Sequence, residues 1–274
     1  MPEGPEILYW SIFLKKKLVN KYKFVEIKSY TNKPIKIPLD FGEATIIDSD
    51  SKGKIFWLVV NAKNNIYYVH VHYGITGWFT FEKPDSYIKY EFILKNIKTN
   101  KEINLFMEDK RRFSKIEIYT FEQHNKIINK LGIDIFSNNF TFDIFKNVIN
   151  SKKTLLASLL LKQEIFCGIG NYIKNEVLYI GKLNVTIKTS ELNDKQIDKL
   201  YNNILFVIYS NLIGTLKDSN LLKYLDKSKS TFMPNKLEIP YEYKIYGKEK
   251  TSDGKKVFKI KVAGRDTYCI KELC

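Results

Sequence analysis

The chain has 274 residues, 44% of them hydrophobic and 14% aromatic, so it can bury a sizeable core divided between two domains. Its net charge of +15 and pI near 9.4 indicate a polyanionic partner, with nucleic acid as the first candidate; the alternative is a lysine-rich surface that only keeps the protein soluble. No stretch approaches the roughly 18 uninterrupted apolar residues of a membrane span. Glu3 and Glu6 near the N-terminus argue against a signal peptide. We therefore expect neither a membrane protein nor a secreted one.

The first predicted element is an amphipathic helix over residues 5–18, because apolar residues recur there at spacings of three and four. From about residue 22 to 120 the pattern changes to short β-branched or aromatic segments separated by turn residues, which predicts a sandwich or barrel-like sheet. The clearest of these strands are Ala44–Asp48, Ile55–Asn61, Ile66–Tyr73, Tyr87–Leu94 and Lys115–Tyr119. Turns are predicted at Lys63-Asn64-Asn65 and at Asn100-Lys101.

The chain becomes helical past about residue 125. Four helices are predicted: a short one capped by Thr141, then Thr154–Lys162, Asn171–Ile180, and a long one that begins at Asp194. The long helix should bury Ile197, Leu200, Ile204, Leu205, Ile208 and Leu212. Residues 217–240 are expected to be irregular. A terminal hairpin is predicted from Tyr243–Lys250 and Lys255–Val262, which flank the turn signal Asp253-Gly254.

The three cysteines, Cys167, Cys269 and Cys274, are too few and too oddly placed for a disulfide framework. A reducing intracellular compartment is the expectation that follows.

Arginine is rare in this basic chain, since only three of the 45 basic residues are arginine: Arg111, Arg112 and Arg265. Where nearly every basic position is lysine, a remaining arginine suggests a need for the planar guanidinium, which contacts phosphates or bases in a bidentate manner. The alternative is chance survival of three codons. We interpret all three arginines as functional.

The N-terminal sequence Met1-Pro2-Glu3-Gly4-Pro5-Glu6 has two interpretations. If Met1 is removed, the ring nitrogen of Pro2 becomes a free secondary amine, which can attack the anomeric carbon of a sugar and form an iminium ion. Glu3 and Glu6 would then supply carboxylates for proton transfer. In the alternative interpretation, Pro5 is the first residue of a helix and the acidic residues favour the helix dipole. That alternative gives Pro2 no role.

Two glycine-containing segments could approach a phosphate closely. Gly168-Ile169-Gly170-Asn171 opens a predicted helix, where backbone amides and the Asn171 side chain could bind phosphate, although a helix–turn–helix corner would look the same. In Lys52-Gly53-Lys54 the glycine permits a tight turn that could present Lys54 to a phosphate or a leaving group. Taken alone, Lys54 is equally well explained as a solvated lysine.

Two further segments combine arginine with aromatic or apolar residues. Arg111-Arg112-Phe113 could fill the gap left when a base leaves a duplex, with Ile75 of a glycine-bounded loop as an apolar wedge. The alternative places Phe113 and Ile75 in the core. Arg265 follows the predicted terminal hairpin and could reach DNA, or it could be an ordinary surface residue.

Together these segments resemble the formamidopyrimidine-DNA glycosylase and endonuclease VIII family of base-excision repair enzymes. The resemblance covers nearly the whole chain and keeps the order of the motifs. It is carried by Pro2-Glu3-Gly4-Pro5-Glu6, Gly53-Lys54, His72-Tyr73-Gly74-Ile75-Thr76-Gly77, Arg111-Arg112-Phe113, Gly168-Ile169-Gly170-Asn171 with Glu176, Tyr246-Gly247, and Gly264-Arg265-Asp266-Thr267.

The resemblance implies an α+β fold in three parts: an N-terminal β-sandwich with its helix (1–122), a helix–two-turn–helix domain (123–238) and a finger hairpin (239–274). It implies that Pro2 is the nucleophile, Glu3 the acid and base, Lys54 a proton donor and Arg265 the phosphate grip. It further implies DNA contacts by Lys152, Asn171, Glu6, Glu176, Arg112, and the void-filling Ile75, Arg111 and Phe113. The implied reaction is base excision followed by β,δ-elimination, with damaged DNA as partner, a monomeric enzyme and no cofactor.

The sequence departs from the family pattern at two places. Many members bind zinc through four finger cysteines, whereas the last 35 residues here hold only Cys269 and Cys274 and no histidine. We therefore expect no metal, and the segment resembles the zincless finger of some members. Position 75 is Ile, where members often have Met, and the shorter side chain puts its wedge role in doubt.

Substrate preference follows from the resemblance to the zincless branch. That branch acts on oxidised pyrimidines, hydantoins and ring-opened purines, and residues 217–240 lack a glycine-bearing loop of the 8-oxoguanine-preferring branch. We expect 8-oxoguanine to be a poor substrate. The alternatives are a catalytically inactive protein that binds damaged DNA and, with less support, an RNA-binding protein. The expected location is intracellular, at DNA: the nucleus in a eukaryote, otherwise cytoplasm, nucleoid or a viral replication site.

Overall fold

The computed structural model describes residues 2–32, 34–216, 219–229, 234 and 236–274. Two units divide this part of the chain: the first holds Pro2, Ile7–Lys130 and Leu221–Leu225, and the second holds Glu3–Glu6, Leu131–Asn220 and Asp226–Cys274. The predicted boundaries at residues 122 and 238 stay a prediction. Among the described helices, none combines the length and apolar character that a membrane crossing requires.

Helix α1 (Gly4–Leu18) occupies almost the range that its apolar spacing predicts. Eight antiparallel strands follow: β1 (Tyr22–Ser29), β2 (Thr45–Lys52), β3 (Ile55–Ala62), β4 (Asn65–His72), β5 (Trp78–Thr80), β6 (Ile88–Asn96), β7 (Glu102–Glu108) and β8 (Lys115–Tyr119). Their order is β5-β7-β6-β1-β2-β3-β4-β8. A single register pair, Lys23 with Thr45, joins β1 to β2, so the strands separate there into two four-stranded layers. The predicted β-sandwich is confirmed.

Aromatic side chains fill the space between the two layers. Phe56 of β3 lies 6.0 Å from Phe79 of β5, and Phe79 lies 5.5 Å from Phe92 of β6, measured between ring centroids. Trp10 of α1 contacts Phe79 at 5.7 Å, so the helix covers the same core. All four side chains are buried, and rings that meet edge-on in this way contribute beyond their buried area.

The predicted turns are present. Lys63 and Asn64 have φ values of 47° and 72° and connect β3 to β4 as a two-residue hairpin. Asn100, with φ of 56°, lies in the turn between β6 and β7. The first unit ends in helix α2 (Phe121–Ile128), which Thr120 caps and whose His124 stacks on Tyr68.

The second unit is mainly helical. In chain order its elements are β9 (Ile133–Asp134), α3 (Phe142–Asn150), α4 (Leu156–Leu161), β10 (Phe166–Cys167), α5 (Asn171–Gly181), α6 (Asp194–Leu216), β11 (Val257–Val262) and β12 (Arg265–Ile270). Thr141 caps α3 as predicted, by accepting the N–H of Ile144. All six apolar side chains predicted for the buried side of α6 are buried. The segment 217–240, predicted to be irregular, lies partly outside the described residues, and Ser219–Tyr224 within it forms a 3-10 turn.

The predicted terminal hairpin is present only in part: its second strand, Lys255–Val262, corresponds to β11, but the predicted pairing with Tyr243–Lys250 is reduced to one bridge, between Lys250 and Lys256. The strands that pair are β11 and β12, and the hairpin turn is Ala263-Gly264, with both residues at positive φ. Tyr243–Lys250 forms no strand because the Glu176 carboxylate accepts the N–H groups of Lys244, Ile245 and Tyr246. Those donors are therefore unavailable to a partner strand. Asp253-Gly254 is a turn, but it lies before the hairpin.

The cysteines also differ from expectation. Cys269 and Cys274 form a disulfide that closes the C-terminal turn after β12, whereas Cys167 is buried and takes no part in a disulfide. The sequence argument excluded a framework of several bridges, and it overlooked a single local one. No group of three or more His, Cys, Asp or Glu side chains within the described ranges could hold a metal ion.

Candidate active site and DNA-binding surfaces

Pro2 lines a cavity of about 360 Å³ in the first unit. The other residues that line it are Ile7, Lys54, His72, Tyr73, Gly74, Phe113, Lys115 and Glu117. Three predicted residues, Pro2, Lys54 and Phe113, therefore share one cavity. Two lysines, Lys54 and Lys115, and one carboxylate, Glu117, are among the lining residues, and this excess of positive charge suits an anionic ligand.

The turn between β2 and β3 places Lys54 at this cavity. Lys52 pairs with Ile55, so Gly53 and Lys54 form a two-residue hairpin turn. Gly53 has φ of 60°, a conformation that glycine adopts without steric cost. The predicted tight turn at Gly53 is thus present, and it explains how Lys54 comes to line the cavity.

Asp109 organises the two loops that carry the predicted wedge. Its buried carboxylate accepts a hydrogen bond from the Thr76 hydroxyl at 2.6 Å and from the Ser114 N–H at 2.6 Å. The Thr76 hydroxyl oxygen in turn accepts the N–H of Arg111 at 3.0 Å. These bonds join the loop after β4 to the loop after β7, so both loops have a defined shape.

The wedge surface consists of Ile75, Arg111 and Phe113. Phe113 is 53% exposed, which is unusual for a large apolar ring, and the Arg111 guanidinium lies 5.1 Å from its centroid. Ile75 is half-buried in the neighbouring loop. Exposure of Phe113 contradicts the core interpretation of this residue and agrees with a ring that stacks on a ligand.

The Arg112 side chain is directed away from the wedge surface, toward backbone carbonyls of the protein. Its Nη1 donates to the backbone carbonyls of Tyr30 and Ile88, both at 3.2 Å, and its φ is 59°. Lys89 holds the same loop, because its Nζ donates to the carbonyls of Arg112 and Ser114, each at 2.5 Å. In this structure Arg112 shapes the wedge loops through protein contacts.

The Glu3 carboxylate is fully buried at the N-terminus of α5, in the second unit. It accepts the N–H groups of Tyr172 at 2.8 Å, Gly170 at 2.8 Å and Ile173 at 3.2 Å. Helix N-termini have free N–H groups, and a carboxylate is an acceptor-only group that satisfies them. The glycine-rich corner predicted to bind phosphate thus binds a carboxylate of the same chain.

Glu6 lies beside Glu3 and the N–H groups that bind it. One of its oxygens accepts the N–H of Glu3 at 2.8 Å, and the Tyr172 hydroxyl donates to the carboxylate at 3.0 Å. Burial is the main cause that raises the pKa of Glu6 to about 7; the charge of Glu3 acts in the same direction, and the hydrogen bonds to Glu6 oppose it. A carboxyl with this pKa can both take up and release a proton near neutral pH.

The raised pKa of Glu6 predicts a pH-dependent stability. In the unfolded chain Glu6 has the ordinary pKa of 4.5 and releases this proton near that pH, whereas in the folded chain its pKa is about 7 and it keeps the proton up to that pH. Stability therefore falls as pH rises between these values and is level above them. We expect the difference in unfolding free energy between wild type and Glu6→Gln to change by about 3 kcal/mol from pH 4.5 to 8. Denaturant titrations of both proteins at several pH values measure it, and an unchanged difference contradicts the raised pKa.

Comparison with known proteins identifies relatives over the whole chain. The Formamidopyrimidine-DNA glycosylase N-terminal domain model matches residues 1–116, and the Formamidopyrimidine-DNA glycosylase H2TH domain model matches residues 131–218. The Formamidopyrimidine-DNA glycosylase of Rickettsia africae is 27% identical over 290 aligned positions, which cover 99% of this chain and 98% of the relative. The chain belongs to the formamidopyrimidine-DNA glycosylase and endonuclease VIII family.

Solved structures of family members agree in fold. The Lactococcus lactis enzyme bound to DNA with an AP site superposes with a TM-score of 0.73 at 21% identity, covering 98% of this chain and 97% of that one. The same enzyme bound to DNA with an oxidized pyrimidine gives a TM-score of 0.74 at 22% identity, with 98% of each chain covered. At this identity the likeness shows the shared fold.

The remaining residues predicted from the family motifs lie in the second unit. Arg265 is exposed and directly follows the hairpin turn, and Lys152 is exposed just after α3. Asn171 neither caps α5, since Gly170 is the N-cap, nor points to solvent; its Nδ2 donates to the carbonyl of Asp266 at 2.9 Å. Glu176 is buried, and besides the three N–H groups it accepts the Tyr241 hydroxyl at 2.6 Å.

Several residues of this family member line the cavity or contact β12, although the sequence analysis gave them no role; of these only His72 lay within a matched motif. His72, Lys115 and Glu117 line the Pro2 cavity, and burial lowers the pKa of His72. Lys174 and Asn175 of α5 contact β12. Strand alternation could have found the first group, because His72 pairs with Lys115 across β4 and β8. The contacts of α5 join positions more than 90 residues apart, and no local pattern signals them.

Proposed function

We propose that this chain removes oxidised bases from DNA through a covalent intermediate on Pro2 and then cleaves the strand by β,δ-elimination. Membership of the family makes it a DNA glycosylase of base excision repair and an AP lyase, with damaged DNA as its partner. The finer mechanism is supported chiefly by the cavity that Pro2 shares with Lys54, His72 and Phe113. Pro2 can react only as a free amine, after removal of Met1, which lies outside the described residues.

In the first stage the Pro2 amine replaces the damaged base at C1′ of the sugar. The Pro2 nitrogen attacks C1′ with its lone pair, the C1′–N bond to the base breaks, and the base leaves with that electron pair and a proton. Loss of the amine proton and opening of the sugar ring leave an iminium ion at C1′. Glu3 is the proposed acid and base at the ring, and Lys54 the proposed proton donor, since a lysine ammonium can protonate a leaving group.

The second stage cleaves the strand. The iminium ion withdraws electrons, so removal of a proton from C2′ expels the 3′ phosphate, and removal of a proton from C4′ then expels the 5′ phosphate. Water hydrolyses the iminium and returns Pro2. Arg265 is proposed to hold the phosphate next to the lesion and thereby to aid the second elimination, because a guanidinium contacts two phosphate oxygens at once.

The remaining residues are proposed to hold DNA. Lys152 and Asn171 are proposed to contact the backbone, Ile75, Arg111 and Phe113 to occupy the space of the displaced base, and Glu6 and Glu176 to line the site. Arg112 acts with them through the loop that it anchors. The exposed Phe113 ring with Arg111 above it is the observation that favours this reading of the wedge surface.

Substrate preference is part of the same proposal. We propose that oxidised pyrimidines, hydantoins and ring-opened purines are excised faster than 8-oxoguanine, on the sequence grounds of the zincless finger and the absence of glycine from residues 217–240.

A lesion panel tests the function. Duplexes that contain dihydrothymine, a hydantoin, a formamidopyrimidine, 8-oxoguanine or an abasic site are incubated with the full chain, with and without sodium borohydride. We expect reduced covalent adducts on every cleaved substrate and a gap flanked by phosphates at both ends. Salt-sensitive binding without cleavage of any duplex would identify instead an inactive damaged-DNA-binding protein. Fastest release of 8-oxoguanine would refute the proposed preference alone.

A further inference from the structure

Three polar side chains of α5 hold strand β12 along its length. Asn171 Nδ2 donates to the carbonyl of Asp266 at 2.9 Å, and Lys174 Nζ donates to the Thr267 hydroxyl at 2.7 Å. The third, Asn175, accepts the N–H of Tyr268 on its Oδ1 at 2.7 Å. Positions i, i+3 and i+4 lie on one face of a helix, so the three side chains reach three consecutive residues. We call Asn171, Lys174 and Asn175 the α5 clamp.

Lys174 is the unusual member of the clamp. Both Lys174 and its partner Thr267 have no exposed surface, and lysine is rarely buried completely. Burial lowers the pKa of Lys174 to about 8; the Glu3 and Asp266 carboxylates oppose this shift, and the Arg265 charge adds to it. A methionine or leucine would fill this buried position without the cost of burying a charge. The hydrogen bond from Lys174 to Thr267 is therefore the feature that explains a lysine at this position.

Besides the clamp, β12 is supported by its pairing with β11, by a ring contact from Tyr268 to Tyr246 at 5.2 Å and by the C-terminal disulfide. β11, its hairpin partner, is largely exposed, and an isolated two-stranded hairpin is marginally stable in water. The disulfide from Cys269 to Cys274 ties the far end of β12, away from the hairpin turn. Contacts from α5 therefore reach the part of β12 nearest to Arg265, which is the first residue of the strand.

The same turn of α5 also binds Glu3. The backbone N–H groups of Gly170, Tyr172 and Ile173 hold the carboxylate, while side chains of the following residues hold β12. One helical turn thus fixes the proposed acid and base on its backbone and the proposed phosphate grip through its side chains. Glu3 and β12 are therefore both fixed in position relative to α5.

We propose that Lys174 is a positioning residue, which fixes β12 on α5 and thereby sets where the Arg265 guanidinium meets the DNA phosphate. The inference rests on the phosphate role proposed for Arg265. Lys174 does not contact the reacting atoms; its effect passes through Thr267 to the neighbouring strand residues. Loss of the bond should therefore impair the steps that need Arg265 more than the formation of the Pro2 adduct.

The experiment compares Lys174→Met, Thr267→Val and the double variant with wild type, all as full chains. Single-turnover cleavage of an abasic-site duplex is followed at saturating enzyme, and the products of the first and second elimination are separated by their different 3′ ends. We expect each single variant to slow the second elimination about 10- to 100-fold, as displacement of a positioned group by about 1 Å does. Borohydride trapping should stay within about twofold, and the double variant should add little to either single one. Lys271→Met, at an exposed lysine after β12, is the control.

Amide hydrogen exchange provides a readout that does not depend on activity. Exchange at β12 should be about tenfold faster in Lys174→Met and Thr267→Val, while exchange in α6 stays unchanged. Unchanged β12 exchange, or a wild-type ratio of elimination products, overturns the proposal. An equal loss of trapping, both eliminations and thermal stability also overturns it, because Lys174 would then only support the fold. If the wild-type protein itself gives no trapped adduct, the proposed function is refuted. The hydrogen-exchange rates of β12 in the variants then test separately whether Lys174 holds this strand.

Discussion

We expect a protein whose Pro2 nitrogen is acylated to form no borohydride-trapped covalent adduct with abasic-site DNA. An uncleaved N-terminal extension converts the ring nitrogen to an amide, whose lone pair is delocalised and cannot attack C1′. We expect trapping with borohydride to fall by more than about 10³-fold, as it does when a nucleophile is lost. Pro2→Gly should likewise abolish trapping, since glycine offers a primary amine, whose imine can lose its N–H proton and with it its charge, in place of the secondary amine, whose iminium ion has no N–H proton to lose. Trapped adduct on a denaturing gel, with the N-terminus of each preparation confirmed by mass spectrometry, measures both.

The control is the same extended protein after proteolytic removal of the extension back to Pro2, which should regain full trapping. Binding to a duplex with a reduced abasic site should be similar before and after removal, because the basic surfaces are unchanged. Undiminished trapping in the extended form and in Pro2→Gly would exclude Pro2 as the nucleophile. The search would then move to the lysines of the same cavity, Lys54 and Lys115.

Gly170→Ala is expected to disable base excision by displacing Glu3. A Cβ atom at position 170 would lie 2.2 Å from Glu3 Cδ and 2.3 Å from Oε1, far inside van der Waals contact. The φ of Gly170 is −128°, which any residue can adopt, so the requirement for glycine here is close approach alone. We expect excision to slow by about 10²-fold or more, because a displacement of about 1 Å is enough for such a loss. Overpacking should also lower the unfolding free energy by about 1–3 kcal/mol.

Single-turnover excision and denaturant titration measure these two effects separately. In a Glu3→Ala background the added methyl group has room, so Gly170→Ala should then cause little further change in stability. Gly214→Ala in α6 is the matched control, since its nearest neighbour is the Pro240 Cα at 3.6 Å. That control should be neutral or stabilise by up to about 1 kcal/mol. Normal excision by Gly170→Ala would show that Glu3 is not held where the structure places it.

Local patterns predicted most of the elements correctly. Helix α1 follows from apolar residues at helical spacing, and β8 was predicted at its observed bounds. The turn at Lys63-Asn64 follows from residues that tolerate positive φ. In each case the determinant lies within a few residues of the feature, so the sequence contains enough information.

The prediction failed where a distant group took over the backbone. Tyr243–Lys250 alternates like a strand, but Glu176 accepts three consecutive N–H groups from it and removes them from any ladder. The strands that pair are β11 and β12, with their turn at Ala263-Gly264, and of the predicted pairing around Asp253-Gly254 only the Lys250–Lys256 bridge forms. Propensity and pairing signals carry no information about a carboxylate that is about 70 residues away in the chain.

For the candidate site, the sequence by itself determined the chemistry: a proline that can become N-terminal, a carboxylate next to it, a lysine after a tight glycine turn and three arginines in a lysine-rich chain. Ordered motifs also determined the family. Only the tertiary structure decided what holds these groups. It buried Glu3 on the free N–H groups of α5, placed Lys54 at the Pro2 cavity and joined Lys174 to Thr267. The physical reason is that catalytic residue types are local properties of a chain, whereas their hydrogen-bond partners and burial depend on contacts between residues far apart in it.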